Sequence, residues 1–483
     1  MSSIQIEQSL SFKRPLLFVF LYLSDYSHTS EWSPSVILAS KTTPGAVRVG
    51  THFAIEMRFG LSDVKLDYYL TAFEEPHYIE FKGKGENFSI VERIRLEGDE
   101  QQCHIQYQIE IYYQEPVSHL VKLRAPLVKS RLKRDLLYLQ KALDQEPSTW
   151  KPSLWSRMSD RLVVPGMMHF SRSGFAHAKN RWTGITEDLS DHIVLITGPT
   201  SGIGAAVARQ LAKLGAALIF VCRNEKKAIV FADALEAEGY KRPRIEIADV
   251  SLVQDVEALT ARLLARGDPI HVLINNAGAL FNKRTVTAEG LELSFATLLL
   301  GPYALTEGLY PLLKKAAADK AKGARVINVS SGGMYTQALA LDDLEFEKED
   351  YNGDKAYARA KRGLVDITEV WAERWRGDGI VVQSMHPGWA DTPGVSQAMP
   401  KFYILTKPWL RTAEQGADTI TWLAASKEAG LTSGLFWLDR TPHSTSMIPG
   451  TKSAPRHQTL LLQALAAYHV RLRSRAQESA PRR

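Results

Sequence analysis

The sequence predicts an α/β protein of two domains, a C-terminal doubly wound parallel sheet and an N-terminal α+β domain built on an antiparallel sheet. The first observation is length, because 483 residues are too many for one ordinary hydrophobic core. The second is that early strand candidates alternate polar and apolar residues, as His104 to Ile111 do. The third is that later candidates, such as Ile193 to Ile196, are continuous apolar runs, which are typical of parallel strands buried on both faces.

Residues 1–147 hold the antiparallel candidates. Val64 to Leu70 show the same alternation, so one face of the sheet is expected to be wet and the other to cover a core or a cavity. After the last strand, leucines recur at helical spacing, and Pro126 is expected to kink that helix. These leucines are Leu120, Leu123, Leu127, Leu132, Leu136, Leu139 and Leu143. The expected packing is an antiparallel sheet that grips a long helix.

Residues 148–190 connect the two domains and mix aromatic with basic side chains. Two interpretations stay open. The aromatic and basic residues can lie at an anionic membrane surface, or a short helix can dock on the C-terminal domain with its aromatics buried and its charges solvated. The residues concerned are Trp150, Trp155, Met167, Met168, Phe170, Phe175 and Trp182 with Lys151, Arg157, Arg161, Arg172, Lys179 and Arg181.

Composition limits the classes of function. A net charge of +6 is modest for this length and no recognition motif accompanies it, so nucleic acid is not an expected partner. Cys103 and Cys222 fall in separate domains and give no disulfide framework, which fits a reducing compartment. No metal is expected. Because no segment is long and apolar enough to span a bilayer, we expect a cytoplasmic protein, with peripheral membrane contact through 148–190 left open.

A glycine-rich loop, Thr197 to Gly204, follows the apolar run Ile193 to Ile196 and precedes a helix-like segment. Glycines let the backbone approach a pyrophosphate closely, and the N-terminus of the next helix offers N–H groups and the positive end of its dipole. The sequence therefore predicts a dinucleotide site. Its predicted contacts in the loop are Thr197, Gly198, Ser201, Gly202, Ile203 and Gly204.

Tyr357 and Lys361 are one helical turn apart and therefore lie on one face of a helix. Hydride transfer between a nicotinamide and a carbonyl or alcohol needs a proton donor or acceptor beside the substrate oxygen, and a phenol can fill that role. An ordinary phenol has a pKa near 10 and needs a neighbouring positive charge to act as a base near neutrality. Lys361 can supply that charge.

These motifs, in this order, resemble the short-chain dehydrogenase/reductase (SDR) family, with retinol dehydrogenase-like members as the wider neighbourhood. The resemblance covers roughly residues 191–450 and implies a Rossmann fold and a carbonyl/alcohol oxidoreductase. It is carried by the glycine loop, the Tyr357/Lys361 pair, Asp249-Val250, Asn275-Asn276-Ala277-Gly278, Ser330-Ser331 and His386-Pro387-Gly388.

The resemblance also implies roles for single residues. Ser331 is expected on the substrate oxygen, with Ser330 as its rival, and completes a catalytic set with Tyr357 and Lys361. Lys361 is also expected to bind the nicotinamide ribose. Asp249 is expected at the adenine and Thr392 at the carboxamide. The other implied cofactor contacts are Val250, Asn275, Ala277, Gly278, Tyr357, Pro387 and Gly388.

The end of the second predicted strand of this domain indicates the form of the cofactor. Relatives that prefer NAD carry an acidic residue there for the ribose 2′-hydroxyl. Here the position is Cys222, followed by Arg223. Since no carboxylate repels a 2′-phosphate and a guanidinium can bind one, NADP(H) is the predicted cofactor.

The chain departs from the family pattern at one position. Phe295 to Gly301 matches Phe-Ala-x-Asn-x-x-Gly, with Leu298 in place of the asparagine that, by the resemblance, holds a water linking the lysine to solvent. Leucine offers no donor or acceptor, so proton supply to the site is in question. Thr297 is adjacent but faces about 100° away on a regular helix.

The N-terminal domain resembles the START-like (SRPBCC) ligand-binding superfamily, in particular its polyketide cyclase/dehydrase-like and coenzyme Q-binding-like members. Leu21 to Tyr26 followed by Glu31 to Pro34 carry this resemblance. It implies a helix-grip fold with an apolar cavity between sheet and helix. A filled core stays the alternative, because inward apolar alternation does not distinguish the two.

The predicted organisation is a START-like domain at 1–147, a basic aromatic linker at 148–190, an SDR domain at 191–450 and a C-terminal helix and tail at 451–483. The expected function is an NADP(H)-dependent oxidoreductase of an apolar or lipid-like small molecule, with an N-terminal lipid-binding module. The alternative is a catalytically weak NADP-binding lipid sensor or carrier, which Leu298 favours.

Overall fold

The computed structural model describes residues 2–43, 47–59, 62–86, 88–99, 101–113, 170–180, 184–319, 321–391, 406–448 and 450–479, with short pieces at 126, 129–130, 133–140, 143, 182 and 403. Thr392, linker residues 148–169 and the leucines at 120, 123, 127 and 132 lie outside these ranges. The chain forms two compact units, Met1–Trp150 with Ala178–Gly184, and Lys151–His177 with Ile185–Arg483.

The first unit is built on one antiparallel sheet of seven strands in the order β1-β7-β6-β5-β4-β3-β2. Neighbours β2 to β7 follow each other along the chain, and β1 closes the order by pairing with β7. The strands are β1 (Ser2–Phe12), β2 (Val36–Lys41), β3 (His52–Phe59), β4 (Ser62–Glu74), β5 (Tyr78–Lys84), β6 (Phe88–Gly98) and β7 (Cys103–Tyr113). The helices are α1 (Leu16–Ser24) and α2 (Thr29–Trp32), with a single turn of 3-10 helix at Tyr26–His28 between them.

The predicted alternation is present in this sheet. In β7, Cys103 and every second residue to Ile111 are buried, while the residues between them are exposed or half-buried. Residues 133–140 are helical, and Leu136, Leu139 and Leu143 join the same hydrophobic core as the inner face of the sheet. The helix-grip, α+β character predicted for the N-terminal domain is therefore confirmed.

The second unit is a sheet of eight strands in the order β10-β9-β8-β11-β12-β13-β14-β15, parallel except for the last pair. The strands are β8 (Ile193–Thr197), β9 (Ala217–Cys222), β10 (Arg244–Ile247), β11 (Val272–Asn275), β12 (Ala324–Val329), β13 (Ile380–Met385), β14 (Phe436–Leu438) and β15 (Thr441–His443).

Helices pack on both faces of this sheet. From residue 170 onward the helices are α3 (Arg172–Lys179), α4 (Gly202–Lys213), α5 (Glu225–Ala237), α6 (Val253–Arg266), a turn at Leu293–Phe295 that widens into a π-helical turn at Ala296–Leu300, α7 (Gly301–Ala317), α8 (Gly353–Arg374), α9 (Ala413–Ala425) and α10 (Pro455–Ser479). Turns of 3-10 helix lie at Gly332–Thr336, Arg376–Asp378, Lys407–Trp409 and Glu428–Leu431.

The apolar runs fill two cores, one on each side of the sheet. Within β8, Leu195 packs into the core that contains α6, α7 and α8, while Val194 and Ile196 pack into the core that contains α4 and α9. This two-sided burial explains why the strand is a continuous apolar run. The doubly wound Rossmann fold predicted for this region is confirmed. Among the described helices, none is long and apolar enough to cross a membrane.

Candidate active site

The glycine loop begins at the carboxyl end of β8. This strand lies between β9 and β11 in the sheet, and the chain order of the strands changes direction there. Gly198 and Gly202 have φ angles of +65° and +53°, a backbone region that side-chain-bearing residues rarely adopt. A Cβ atom on Gly204 would lie 2.1 Å from the carbonyl oxygen of Gly198. The loop conformation therefore depends on glycine at all three positions.

The loop leads directly into helix α4. Ser201 occupies the N-cap position in an extended conformation, and its side chain makes no capping hydrogen bond. The helix N-terminus thus keeps its N–H donors and positive dipole end for an external anion. Ile203, on the first turn, is half-buried. These features fit the pyrophosphate of a dinucleotide.

The loop is fixed to the neighbouring strand by Thr197 and Asn276. The Thr197 hydroxyl accepts hydrogen bonds from the backbone N–H groups of Asn276 (3.0 Å) and Ala277 (2.9 Å). The Asn276 carboxamide donates to the carbonyl oxygens of Thr197 (2.9 Å) and Gly198 (3.2 Å). Thr197 is only 2% exposed, so it acts as an internal clamp. The sequence motif contains Asn276, but its hydrogen bonds to the glycine loop were not predicted, because they depend on the pairing of β8 with β11 in the sheet.

Asn275 lies in a polar network inside the fold. Its Nδ2 donates to Thr306 Oγ1 (2.9 Å) and to Asn328 Oδ1 (2.8 Å), and Asn328 donates on to Thr368 Oγ1 (2.8 Å). Asn275 is 2% exposed. The structure therefore turns the side chain of this predicted cofactor residue toward the interior. The sequence contains no signal for its two partners, which come from α7 and β12.

Arg223, at the end of β9, lies beside Asp249. The Arg223 side chain is 69% exposed, and its guanidinium is 3.4 Å from Asp249 Oδ2. Asp249 Oδ1 accepts from the N–H and the hydroxyl of Ser251. Val250 is buried, and its carbonyl oxygen leaves no room for a side chain on Gly301, whose Cβ would lie 1.9 Å away. The structure thus brings Arg223, Asp249 and Val250 together beyond the carboxyl ends of β9 and β10.

The two candidate serines after β12 differ in their partners. Ser330 is 2% exposed, and its hydroxyl donates to the carbonyl oxygen of Lys361 (3.0 Å). Ser331 is half-buried, its Oγ accepts from the N–H of Gly333 (3.2 Å), and its side chain also forms a hydrogen bond with Tyr357. This difference favours Ser331 as the residue that binds a substrate oxygen.

Tyr357 and Lys361 share one face of helix α8. The helix begins after Asn352, whose side chain caps the N–H of Lys355. Lys361 Nζ is 5.9 Å from the centre of the Tyr357 ring. Burial raises the pKa of Tyr357, and a hydrogen bond with Ser331 acts in the opposite direction. The structure therefore brings all three predicted catalytic side chains together.

The side chain of Lys361 is buried. Burial lowers its pKa to about 7. Its Nζ donates to the carbonyl oxygen of Val329 at 2.6 Å. A Cβ on Gly278 would lie 2.7 Å from a methyl group of Leu298 and 3.6 Å from Lys361 Nζ, so the three residues are immediate neighbours. Burial therefore works against the protonated form of Lys361, whose charge Tyr357 needs.

Leu298 lies in the π-helical turn Ala296–Leu300 and is fully buried. Because the helix is distorted here, the angle of about 100° between successive side chains of a regular helix does not describe Thr297 and Leu298. Thr297 is half-buried. Leu298 provides only methyl groups beside Lys361, as its sequence position predicted.

The loop after β13 is held by a buried arginine. Gly388 has a φ of +76°, and a Cβ there would lie 2.3 Å from Arg411 Nε. Arg411 is 1% exposed, forms a bidentate ion pair with Asp439 (2.6 and 2.8 Å) and reaches the carbonyl oxygen of Pro387 at 3.5 Å. Arg411 therefore holds the backbone of Pro387 and Gly388 in place at this end of the sheet. Thr392, which follows, is outside the described residues.

His386, in the same loop, is fully buried. Burial, with the charges of Arg411 and His443, holds its pKa well below its usual value, so the ring is neutral. Its Nδ1 accepts from the N–H of Gly388 at 3.2 Å. The ring of Phe170 stands perpendicular to it, with the ring centres 4.5 Å apart.

The described part of the linker docks on this loop. The Phe170 ring contacts Tyr335, His386 and Trp389, and its carbonyl oxygen accepts from the N–H of Trp389 at 2.8 Å. Ser171 accepts through its carbonyl oxygen from Arg411 Nε at 3.1 Å. Within 170–177 the aromatic residues are buried and Arg172 is exposed, which is the docked arrangement; the sequence did not predict which loop it would meet.

The N-terminal unit contains a largely apolar cavity between sheet and helix. The centres of water-sized molecules have about 60 Å³ of space in it, several times the roughly 10–15 Å³ that one water needs. Apolar side chains from five strands line it, together with Leu136 of the helix: Val36, Ile55, Met57, Leu66, Phe88, Ile90, Ile109 and Ile111. The structure thus has a small cavity at the place where the resemblance implies one.

Two buried carboxylates also line this cavity. Glu92 accepts hydrogen bonds from the hydroxyl groups of Tyr26 (2.9 Å), Tyr68 (3.0 Å) and Tyr107 (2.7 Å). Burial raises the pKa of Glu92, while the three phenols act in the opposite direction. The second carboxylate is Asp135, on the helical segment 133–140. Sequence alternation placed Tyr68 and Tyr107 on the inner face of the sheet, but it indicated neither Tyr26, which lies on a turn, nor the carboxylate on which the three converge.

Comparison with known proteins identifies relatives of both regions. Residues 192–401 match the family described as short chain dehydrogenase, and residues 3–145 match the family described as polyketide cyclase / dehydrase and lipid transport. The chain is 39% identical over 305 residues to human dehydrogenase/reductase SDR family member 12, an alignment that covers 62% of this chain and 94% of that protein.

Two further human proteins are similar over the same kind of span. Retinol dehydrogenase 11 is 30% identical over 278 residues, covering 57% of this chain and 84% of its own length. Retinol dehydrogenase 12 is 30% identical over 282 residues, covering 58% of this chain and 85% of its own length.

Proposed function

The chain belongs to the short-chain dehydrogenase/reductase family and carries an N-terminal domain of the polyketide cyclase/dehydrase and lipid-transport family. On that premise we propose that it is an NADP(H)-dependent oxidoreductase that interconverts a carbonyl and an alcohol on an apolar, lipid-like substrate. We propose in addition that the N-terminal module binds a lipid-like ligand in its cavity.

The observation that carries the oxidoreductase proposal is the convergence of Ser331, Tyr357 and Lys361 beside the glycine loop. When bound, the nicotinamide supplies or accepts the hydride. In the reductive direction, the Ser331 hydroxyl donates a hydrogen bond to the substrate oxygen and stabilises the negative charge that develops there. Tyr357 then gives its phenolic proton to that oxygen. Lys361, when protonated, stabilises the phenolate that remains.

Arg223 supports NADP(H) over NAD(H). The 2′-phosphate carries negative charge, and a guanidinium on an exposed side chain at the end of β9 can bind it through charge-assisted hydrogen bonds. Arg223 forms its described ion pair with Asp249, which follows β10. The end of β9, where relatives that prefer NAD carry an acidic residue, has Cys222 instead.

Two features support an apolar substrate. The cavity of the N-terminal module is lined mainly by aliphatic and aromatic side chains. The relatives include proteins named as retinol dehydrogenases, which act on an apolar alcohol. Retinal is therefore a suitable first carbonyl to test, with octanal as a shorter aliphatic probe.

The test is NADPH oxidation by the full chain in the presence of retinal or octanal. Tyr357→Phe should abolish turnover and leave NADPH affinity nearly unchanged, because the phenol acts on the substrate and the phosphates are held by the glycine loop. Fluorescence titration of NADPH provides the second readout. Turnover that survives Tyr357→Phe would show that this tyrosine is not the proton donor.

Leu298 favours one other candidate function. Beside Lys361 it supplies methyl groups where the family pattern has an amide, and burial lowers the pKa of Lys361 to about 7. A catalytically weak, NADP-binding lipid sensor or carrier would have such a site. NADPH binding without turnover of any carbonyl probe would favour this second function.

A further inference from the structure

We propose that the cavity of the N-terminal module binds the alcohol or amine end of its ligand, with the ligand's O–H or N–H group donating a hydrogen bond to Asp135. This inference rests on the proposed ligand-binding role of the module and specifies the chemistry of the ligand's polar end. It stands on the unequal environments of the two oxygen atoms of the Asp135 carboxylate.

One oxygen of Asp135 is fully used and the other is not. Oδ2 accepts hydrogen bonds from the hydroxyl groups of Ser33 (2.8 Å) and Ser35 (2.6 Å). Oδ1 is buried and has no hydrogen-bond partner among the residues that the structure describes. Asp135 as a whole is 4% exposed and lines the cavity.

An unpaired buried carboxylate oxygen selects its partner chemically. A carboxylate only accepts hydrogen bonds, and leaving a buried acceptor unpaired costs free energy. An alcohol or a protonated amine in the cavity would satisfy Oδ1 once the buried carboxylate turns to meet it. A ketone, an aldehyde or a carboxylate would place a second acceptor against it and would be disfavoured.

The other polar cluster in the cavity does not reverse this preference. The hydroxyl hydrogens of Tyr26, Tyr68 and Tyr107 are directed to Glu92, so they are already used within the protein. Thr29 and Trp32 also line the cavity and can contact a ligand elsewhere along its length. Neither of them changes what Asp135 Oδ1 requires.

The proposal assigns the module one member of a carbonyl/alcohol pair. If the dehydrogenase domain interconverts the two, the N-terminal cavity holds the alcohol and rejects the carbonyl compound. The module would then present an alcohol for oxidation or retain the alcohol that reduction produces.

The test uses four probes with chains of equal length: octanol, octylamine, methyl hexyl ketone and octanoate. Calorimetric titration of the full chain should show octanol and octylamine binding at least about tenfold more tightly than the ketone and the acid, as expected for one hydrogen bond to a charged acceptor. Equal affinities, or tighter binding of the ketone, would overturn the proposal while leaving the ligand-binding module in place. No binding of any probe would overturn both.

A variant makes the test specific to this site. In Asp135→Asn, the amide oxygen can keep the two serine hydrogen bonds, which turns the NH₂ donor toward the cavity. Affinity should then fall for octylamine, whose ammonium group can only donate, and rise for methyl hexyl ketone, each about tenfold. Asp67→Asn, on the exposed face of β4, removes the same charge and should change nothing. A folded Asp135→Asn variant with an unaltered order of affinities would overturn the proposal; if it does not fold, the four-probe series on the unaltered chain still decides.

Discussion

Lys361 donates a hydrogen bond from Nζ to the carbonyl oxygen of Val329 across 2.6 Å, at the end of the strand that leads to Ser331. Around this contact the lysine is buried, and Leu298 presents methyl groups to the same small space. The protonation state of Lys361 is therefore a property of the fold that can be measured without a substrate.

The first prediction concerns stability and pH. Burial lowers the pKa of Lys361 from its ordinary 10.5 to about 7. In the unfolded chain the amine stays protonated to higher pH, so the destabilisation is complete below pH 7 and disappears as the pH rises toward 10.5. Relative to Lys361→Met, the unaltered chain should gain up to roughly 1.4 kcal/mol per pH unit in that window.

Calorimetric melting of the two proteins, from neutral to moderately alkaline pH, measures this gain. Lys226→Met, which removes an exposed lysine, is the control and should give a pH-independent difference. A pH-independent difference for Lys361→Met as well would mean that Lys361 stays charged in the folded protein.

The second prediction concerns Leu298. Leu298→Asn places an amide beside Lys361, which should favour the protonated lysine and allow a water to reach it. If proton transfer limits turnover, the rate should rise about 10- to 1000-fold, the range that positioned acid and base groups contribute. The alkaline limb of the pH–rate profile should also move to higher pH.

Leu298→Met is the matched control, because it keeps an apolar side chain of similar volume and should leave both the rate and the pH profile unchanged. An unaltered chain that is already fast, with Leu298→Asn equal or slower, would show that protons arrive by another route.

The third prediction concerns cofactor choice. The unaltered chain should bind NADPH more tightly than NADH, and Arg223→Asp should erase or reverse that preference. A charge-assisted hydrogen bond contributes about 1.5–3 kcal/mol, which corresponds to roughly 10- to 150-fold in affinity. Paired titrations measure it, with Arg242→Asp, an exposed arginine on the β9–β10 connection, as the control. Equal affinities in the unaltered chain would rule the role of Arg223 out.

Patterns within single segments were sufficient to predict the fold. The alternation in β7 and the continuous apolar run in β8 each follow from which faces of a strand are buried, and that information is local. The positions of Tyr357 and Lys361 are likewise fixed by the pitch of one helix.

Features that depend on long-range packing were not predicted. Asn276 clamps Gly198 across 78 residues, and Asp135 meets Ser33 across 102. Nothing near either residue in the sequence indicates its partner. The position of Phe170 against His386 is of the same kind, since it depends on how the linker crosses a loop more than 200 residues later in the chain.

The docking of Phe170 and Ser171 matters for any attempt to recombine this protein. The family motifs begin near Asp191, yet the loop that carries Pro387 and Gly388 rests on residues some twenty positions earlier. A dehydrogenase domain excised at the motif boundary would lose the Phe170 ring that packs on Trp389 and the Ser171 carbonyl oxygen that accepts a hydrogen bond from Arg411. A gene fusion or an engineered chimera that keeps this loop intact must therefore include residues 170–177 of the linker. The segment that has to be transferred together is longer than the domain that the sequence motifs define.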